Sequence, residues 1–170
     1  MPASTRDARI PTLRVGPLHA ARAVMTDRIG KERIRGLVPH AGSMCLLDEV
    51  ERWDQTSISC LAHSHRDADN PLRRDGRLPA VHLIEYCAQA MALHRGLVSE
   101  SQGERAPSGW LVSARDFKFQ VERLDQLTGP IILRARELVY FEGGTQYEVA
   151  AEAEGRAIGG GRISVVKVPD

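Results

Sequence analysis

Residues 77–97 read RLPAVHLIEYCAQAMALHRGL, and the architecture of the chain follows from this segment. Apolar residues fall on every side of a helix drawn through it, so the helix must be covered on all sides. Pro79 suits the first turn, and the pattern predicts a helix that continues to about residue 98. Within it, His82, Glu85 and Gln89 are spaced i, i+3 and i+7 and share one face.

The segments that flank this helix have the patterns of strands. Two are predicted before it, at 43–54 and 57–66, and four after it, at 110–123, 130–143, 145–155 and 156–168. Residues 67–79 contain Asn-Pro and Asp-Gly and are predicted to form a loop. This order predicts one α+β domain over 31–170, an antiparallel sheet around a long helix whose burial a second chain completes.

Composition narrows the class of protein. The chain has 170 residues, of which 42% are hydrophobic and 26% charged, with a formal net charge of +1, which argues against bulk nucleic-acid binding. Three cysteines without a CxxC spacing indicate free thiols in a reducing compartment, and no apolar run matches a membrane span or a secretory signal. We therefore expect a cytoplasmic protein. Residues 1–30 are expected to be a disordered or loosely attached extension.

The polar stripe on the helix has two readings. Glu85 and Gln89 can satisfy each other or nearby loop amides, as buried polar groups generally do. Alternatively, a carboxyl group in an apolar site has a raised pKa and can act as a general acid. The chemistry that fits the second reading is proton transfer to or from a bound ligand.

Residues 78–92, LPAVHLIEYCAQAMA, resemble the central helix of the hotdog-fold 3-hydroxyacyl-[acyl carrier protein] dehydratases, in which a catalytic Glu or Asp precedes a Gln by four residues. Pro79, Ala80, Glu85 and Gln89 occupy the matching places. LVPHAGSMCLLDEV (37–50) resembles the opening strand of that family, ARDFKFQVERLDQLTGPIIL (114–133) its strand–turn–strand, and QYEVAAEAEGRAIGGGRISVV (146–166) its terminal hairpin. The resemblance spans about 34–168. It is strongest to a branch associated with aryl polyene and related pigment biosynthesis.

The resemblance implies a hotdog fold and removal of water from a 3-hydroxyacyl thioester to give a trans-2-enoyl thioester. The acyl chain would arrive on the phosphopantetheine arm of an acyl carrier protein, and no cofactor would be required. Glu85 would be the general acid, and Gln89 would orient Glu85 or the thioester carbonyl. Backbone amides near Ala80 and Val81 could polarise that carbonyl through the helix N-terminus.

One family feature is missing. The dehydratases carry a catalytic His in the loop before the helix, but NPLRRDGRLPA (70–80) has none. The candidates to replace it are His82, one turn from Glu85, His40 before the first strand, and Asp75 in the loop, with His63 or His65 as others. The remaining readings are a non-catalytic subunit paired with an active homologue, or a hotdog thioesterase that uses the helix carboxylate to activate water.

Two charged groupings also have competing readings. His63, His65 and Asp67 alternate along a predicted strand and are a possible metal trio, but such residues near a strand end are more often solvated. Arg73, Arg74 and Arg77, with Arg66 nearby, are a solvated rim or a docking surface for an acidic carrier protein. The expected partners are thus an acyl carrier protein and a second hotdog subunit, identical or different, and neither nucleic acid nor membrane.

Overall fold

The computed structural model describes residues 28–105 and 109–168. One long helix, one short helix and seven strands make up the regular structure over these residues, together with three 3₁₀ turns at Gly42–Met44, Ser64–Arg66 and Ala80–His82. In chain order the elements are β1 (Ile29–Gly30), α1 (Lys31–Arg35), β2 (Glu49–Trp53), β3 (Ser57–Ala62), α2 (Leu83–Ser101), β4 (Gly109–Phe119), β5 (Ile131–Phe141), β6 (Gly144–Ala153) and β7 (Arg156–Lys167).

All seven strands form one antiparallel sheet in the order β1-β2-β3-β5-β6-β7-β4. The β5–β6 and β6–β7 connections are hairpins, at the two turns that the sequence indicates. Strand β4 pairs only with β7 among the described residues and is therefore an edge of the sheet. The predicted α+β architecture, an antiparallel sheet around a long central helix, is confirmed.

Helix α2 packs across the sheet, chiefly against β3, β5 and β6. Its apolar side chains, including Leu83, Tyr86 and Leu93, are fully buried in the main core. Gly159 of β7 lies under the start of the helix, where a Cβ atom would come within 2.6 Å of Leu83 Cδ2. A residue without a side chain is needed there because the helix and the strand approach so closely.

The loop between β3 and α2 is tied to the helix by buried polar contacts. Asn70 Nδ2 donates to Ser64 O (2.8 Å) and to Tyr86 Oη (3.0 Å), and Asn70 Oδ1 accepts from the Leu72 amide (2.9 Å). Ser64 Oγ lies 2.9 Å from Tyr86 Oη and donates to Leu46 O (2.8 Å). These bonds fix the position at which α2 begins.

Several predicted boundaries are wrong. The first predicted strand begins only at Glu49, because a 3₁₀ turn at Gly42–Met44 precedes it. The second ends at Ala62, where another 3₁₀ turn follows. The helix continues beyond residue 98 to Ser101, and β1 was not anticipated.

Other sequence-based expectations concern the cysteines and the chain ends. The three cysteines are buried and free, as predicted. Among the described residues no helix is long and apolar enough to cross a membrane. The expectation for residues 1–30 falls almost wholly on 1–27, which lie outside the described residues.

Candidate active site

The centre of the candidate site is a contact between His40 and Glu85. His40 lies in the segment between α1 and the first 3₁₀ turn, and Glu85 lies in the first turn of α2. The distance from His40 Nε2 to Glu85 Oε1 is 3.1 Å, and both side chains are about 30% exposed (31% and 29%). His40 Nδ1 is buried and has no hydrogen-bond partner among the described residues. An imidazole and a carboxylate in direct contact can exchange a proton.

Gln89 holds this carboxylate in place. The fully buried Gln89 donates from Nε2 to Glu85 Oε1 (2.9 Å) and to Met44 O (2.8 Å), and its Oε1 accepts from the Leu46 amide (2.9 Å). The same side chain therefore fixes the segment after His40 and the acidic group on α2. No described residue hydrogen-bonds to Glu85 Oε2, so this oxygen is free to meet a ligand.

A cavity of about 680 Å³ runs along α2 from this pair. The helix contributes a half-buried stripe at spacings of three and four residues to its wall, consisting of Glu85, Ala88, Ala92 and Arg95, with Met91 beside them. At 1.5 Å of rise per residue, Glu85 and Arg95 are about 15 Å apart along the axis. The cavity is thus long, apolar in its middle and polar at both ends.

His82 lies apart from the contact between His40 and Glu85 and from the cavity. It closes the 3₁₀ turn before α2, is not part of the cavity wall, and has no hydrogen bond or ion pair with Glu85. Burial and the nearby Arg74 lower the pKa of His82, against an opposing effect of Glu85. Of the predicted polar stripe of His82, Glu85 and Gln89, only Glu85 therefore lines the cavity.

Two predicted ligand contacts, at Ala80 and Val81, and the candidate residue Asp75 lie outside the cavity. The Ala80 amide donates to Glu122 O (2.9 Å), so it is not available to polarise a carbonyl. Val81 is 53% exposed and does not line the cavity. Asp75 is exposed at a turn: Asp75 and Gly76 have φ values of 50° and 71°, and Arg74 and Arg77 exchange two backbone hydrogen bonds of 2.9 Å. The Asp-Gly sequence thus builds a type I′ turn.

The loop arginines divide into two kinds. Arg73 donates to His65 O (3.0 Å) and Gly76 O (3.1 Å), which gives it a structural role in the loop. Arg74 donates only to the carbonyls of Pro71 (3.0 Å) and Arg73 (2.8 Å), and Arg77 is exposed. No carboxylate among the described residues forms an ion pair with any of the three. Arg74 and Arg77 are thus exposed charges without an ion-pair partner among the described residues.

The possible metal trio is not formed. His63 is exposed, whereas His65 is fully buried in the 3₁₀ turn that follows β3, so the two do not alternate along one strand face. Among the described residues no three His, Cys, Asp or Glu side chains are placed to hold a metal ion. Burial, with a contribution from Arg66, lowers the pKa of His65.

The sequence did not reveal the charged cluster at the far end of the cavity. Arg95 Nη1 lies 3.2 Å from Glu137 Oε2, and its guanidinium carbon lies 4.2 Å from the centroid of the Tyr140 ring. Glu137 is on β5, so only the tertiary fold brings it to the helix. The one sequence signal was an arginine, Arg95, in the second half of a mostly apolar helix.

Comparison with solved structures places the chain among hotdog folds. The dehydratase heterocomplex ApeI:P from Xenorhabdus doucetiae matches with a TM-score of 0.71 and 22% identity, covering 81% of this chain and 91% of that one. A mutant thioesterase from Pseudomonas aeruginosa matches at 0.58 and 12%, covering 84% and 96%. A hypothetical thioesterase with coenzyme A from Streptococcus pneumoniae matches at 0.51 and 10%, covering 71% and 85%.

Sequence comparison is more specific about the family. No curated protein sequence matches the chain significantly. The family model described as ApeP-like, ApeP dehydratase, matches residues 32–170, which includes His40, Glu85, Gln89 and every strand of the sheet except β1. The chain therefore belongs to the ApeP-like dehydratase family.

Proposed function

We propose that the chain removes water from a 3-hydroxyacyl thioester carried by an acyl carrier protein, in the biosynthesis of an aryl polyene or a fatty-acid-like product. The observation that carries this proposal is the 3.1 Å contact between His40 Nε2 and Glu85 Oε1 at the end of a long apolar cavity. Dehydration needs a base for the proton on C2 and an acid for the hydroxyl on C3, and this pair offers both.

The reaction balances with these two groups alone. Neutral His40 takes the C2 proton, and the electrons of the C2–H bond form the C2=C3 double bond. The C3–O bond breaks, and the departing hydroxyl takes the proton of the Glu85 carboxylic acid and leaves as water. His40 Nε2 is then protonated and Glu85 is ionised. Their 3.1 Å contact lets the proton return to Glu85 and restores the starting state.

Gln89 acts as a positioning residue in this scheme. Its donation to Glu85 Oε1 leaves Oε2 as the oxygen directed to the substrate. Its other bonds, to the backbone of Met44 and Leu46, couple the geometry of Glu85 to the segment that follows His40. The acid and the base are thus held by one buried side chain.

A second hotdog subunit is the proposed structural partner. Strand β4 is a sheet edge that carries exposed apolar side chains, with Trp110 69% exposed and Val112 56% exposed. An exposed apolar edge strand is a ready template for pairing with another chain. The similar ApeI:P structure is described as a heterocomplex. The partner we propose is therefore either an ApeI-like subunit or a second copy of this chain.

An acyl carrier protein is the proposed partner for delivery of the substrate. Arg74 and Arg77 carry charges that no described carboxylate neutralises, and Arg74 lies close enough to His82 to affect its pKa, near the start of α2. Arginine suits phosphate and acidic surfaces through its planar set of donors. The free buried thiols of Cys45, Cys60 and Cys87 fit a reducing, cytoplasmic setting for this encounter.

Intact-mass measurement of a 3-hydroxyacyl carrier protein incubated with the purified full-length chain tests the proposal. We expect the loss of one water from the acyl group, and no loss with Glu85→Gln. Glu148→Gln, a carboxylate on the outer face of β6, is the matched control and should remain active. Unchanged substrate with the wild-type chain would instead favour a non-catalytic subunit of a heterocomplex. Release of free acid would show a thioesterase.

A further inference from the structure

The end of the cavity remote from Glu85 is not apolar. Arg95, Tyr140, Thr145 and Lys167 line it, and Glu137 lies directly behind Arg95. We call these five residues the Arg95 cluster. The wall between Glu85 and this cluster is formed on the helix side by Ala88, Met91 and Ala92. An extended chain whose reacting end meets Glu85 would therefore cross an apolar passage and reach a strongly polar end.

Arg95 is held in one orientation. Its side chain is only 13% exposed, its Nη1 donates to Glu137 Oε2 (3.2 Å), and its guanidinium stacks over the Tyr140 ring at 4.2 Å. Glu137 is itself fixed, because Oε2 also accepts from Tyr147 Oη (3.1 Å). A guanidinium clamped by an ion pair and an aromatic ring presents its remaining donors in fixed directions.

One of those donors lacks an acceptor. Arg95 Nη2 has no hydrogen-bond partner among the described residues, and unlike Nε it is not enclosed by protein. Buried donors are almost always paired, and leaving a charged one unpaired is costly. A chain ending in a methyl group would bury this donor further without pairing it. A chain ending in an oxygen atom would pair it.

We propose that Arg95 recognises an oxygen acceptor, a hydroxyl or a carboxylate, at the far end of the acyl chain. The inference rests on the proposed function insofar as an acyl chain occupies the cavity. The phosphate of the carrier arm has the same kind of oxygen. However, that phosphate is a diester next to the carrier protein, at the protein surface, whereas the Arg95 guanidinium is largely shielded from the surface.

Binding of saturated acyl-pantetheine amides to the full-length chain, measured by calorimetry, tests this inference without any turnover. The probes have equal chain length and end in methyl, hydroxyl or carboxylate. We expect the oxygen-ended probes to bind roughly tenfold or more tightly than the methyl-ended probe, the size of a hydrogen bond to a charged group. Carboxylate and hydroxyl probes compared with each other show which oxygen is preferred.

The variants remove the cluster without leaving a buried charge. Arg95→Met combined with Glu137→Gln should abolish the preference, because both charges are removed together. Tyr140→Leu, at a residue that is 48% exposed, should reduce the preference and tests the same cluster if the double variant folds poorly. Arg136→Met with Glu148→Gln removes a comparable ion pair (2.6 Å) on the exposed face and should leave the preference intact.

Three outcomes would overturn the inference. They are equal affinity for methyl-ended and oxygen-ended probes, a preference that survives the double variant, and failure of every probe to bind. A further measurement uses probes that carry a 4′-phosphate. If the double variant loses only the affinity that this phosphate adds, the cluster binds the carrier arm, and the inference is overturned. The water-loss assay does not vary the far end of the chain, so its failure and the failure of this inference are distinguishable.

Discussion

His40 and Glu85 come from different elements of the fold, yet their side chains meet with 3.1 Å between Nε2 and Oε1. Both remain partly exposed to a cavity that continues along α2. The contact supplies what the loop before the helix lacks, an imidazole beside the helix carboxylate. In the proposed reaction it also supplies a direct path for the proton that must pass between the two groups in each turnover.

Replacing Gln89 by Leu should destabilise the protein by roughly 2–4 kcal/mol, because the buried Met44 carbonyl and Leu46 amide would both lose their partner. Urea unfolding of Gln89→Leu measures the loss. Gln126→Leu, at an exposed position, is the control and should change stability little. Equal stability of the two variants would show that Gln89 does not hold this segment to α2.

Stability should fall as the pH drops below about 6.5, the ordinary pKa of histidine. Burial lowers the pKa of His65 in the folded protein, so the unfolded chain takes up a proton that the native state does not. Above pH 6.5, His65 is neutral in both the folded and the unfolded protein and does not affect stability. Below that pH, protonation of the unfolded chain destabilises the folded protein progressively, until the pH reaches the lowered pKa of His65 in the folded state.

The variant His65→Leu isolates this effect. His65 is fully buried, and backbone groups of Leu127 and Gly129 lie close enough to its ring to oppose, without cancelling, the effect of burial on its pKa. The slope of unfolding free energy against pH should decrease by up to about 1.4 kcal/mol per pH unit, the value for one proton. An unchanged slope would assign the acid sensitivity to other groups, such as the buried His94, whose pKa burial also lowers.

A lysine on β4 should prevent association with a second subunit. Val112→Lys places a charge on the exposed apolar edge, which is how natural sheet edges avoid pairing. Sedimentation velocity should show a shift from dimer to monomer for this variant. Val166→Lys, at an exposed valine on β7, which is paired on both sides, should remain dimeric. A monomeric wild-type chain that pairs with no other hotdog subunit would refute the β4 interface.

Reversing charge at the loop should weaken carrier-protein binding without affecting chemistry. Arg74→Glu with Arg77→Glu is expected to raise KM severalfold at low salt, with kcat unchanged and the difference shrinking as salt screens the surface. Arg136→Glu, on the exposed face of β5, is the control. An effect on kcat with unaltered KM would place these arginines in another role.

The sequence predicted the sheet and helix well because their patterns are local. Alternation of apolar residues located β3, β5, β6 and β7, and the all-round apolar character of 83–98 located α2. The region before β2 was harder to predict from the sequence. The Leu46 amide there donates to the side chain of Gln89, 43 residues later, instead of to a neighbouring strand. A strand pattern does not contain that information.

The geometry of the candidate site could be predicted only in part. Glu85 and Gln89 were found from their spacing, and the structure brings them together at 2.9 Å. His40 and His82 could not be ranked from sequence, because helical spacing favours His82 and only tertiary packing brings His40 to the carboxylate. The partners of Arg95 could not be predicted from the sequence for the same reason, since Glu137 and Tyr140 lie on β5.

The rate of water loss from a 3-hydroxyacyl carrier protein, compared among Glu85→Gln, His40→Gln, the double variant and His82→Gln, examines whether His40 and Glu85 act as a unit. We predict that each of the first two substitutions slows the rate by roughly 10²–10⁴-fold. The double variant should be no slower than the slower single variant, since groups that act together lose their effect together. His82→Gln should stay near the wild-type rate. Full activity of His40→Gln would contradict the assignment of His40 as the base. Loss of activity in His82→Gln together with a fully active His40→Gln would point to His82 instead.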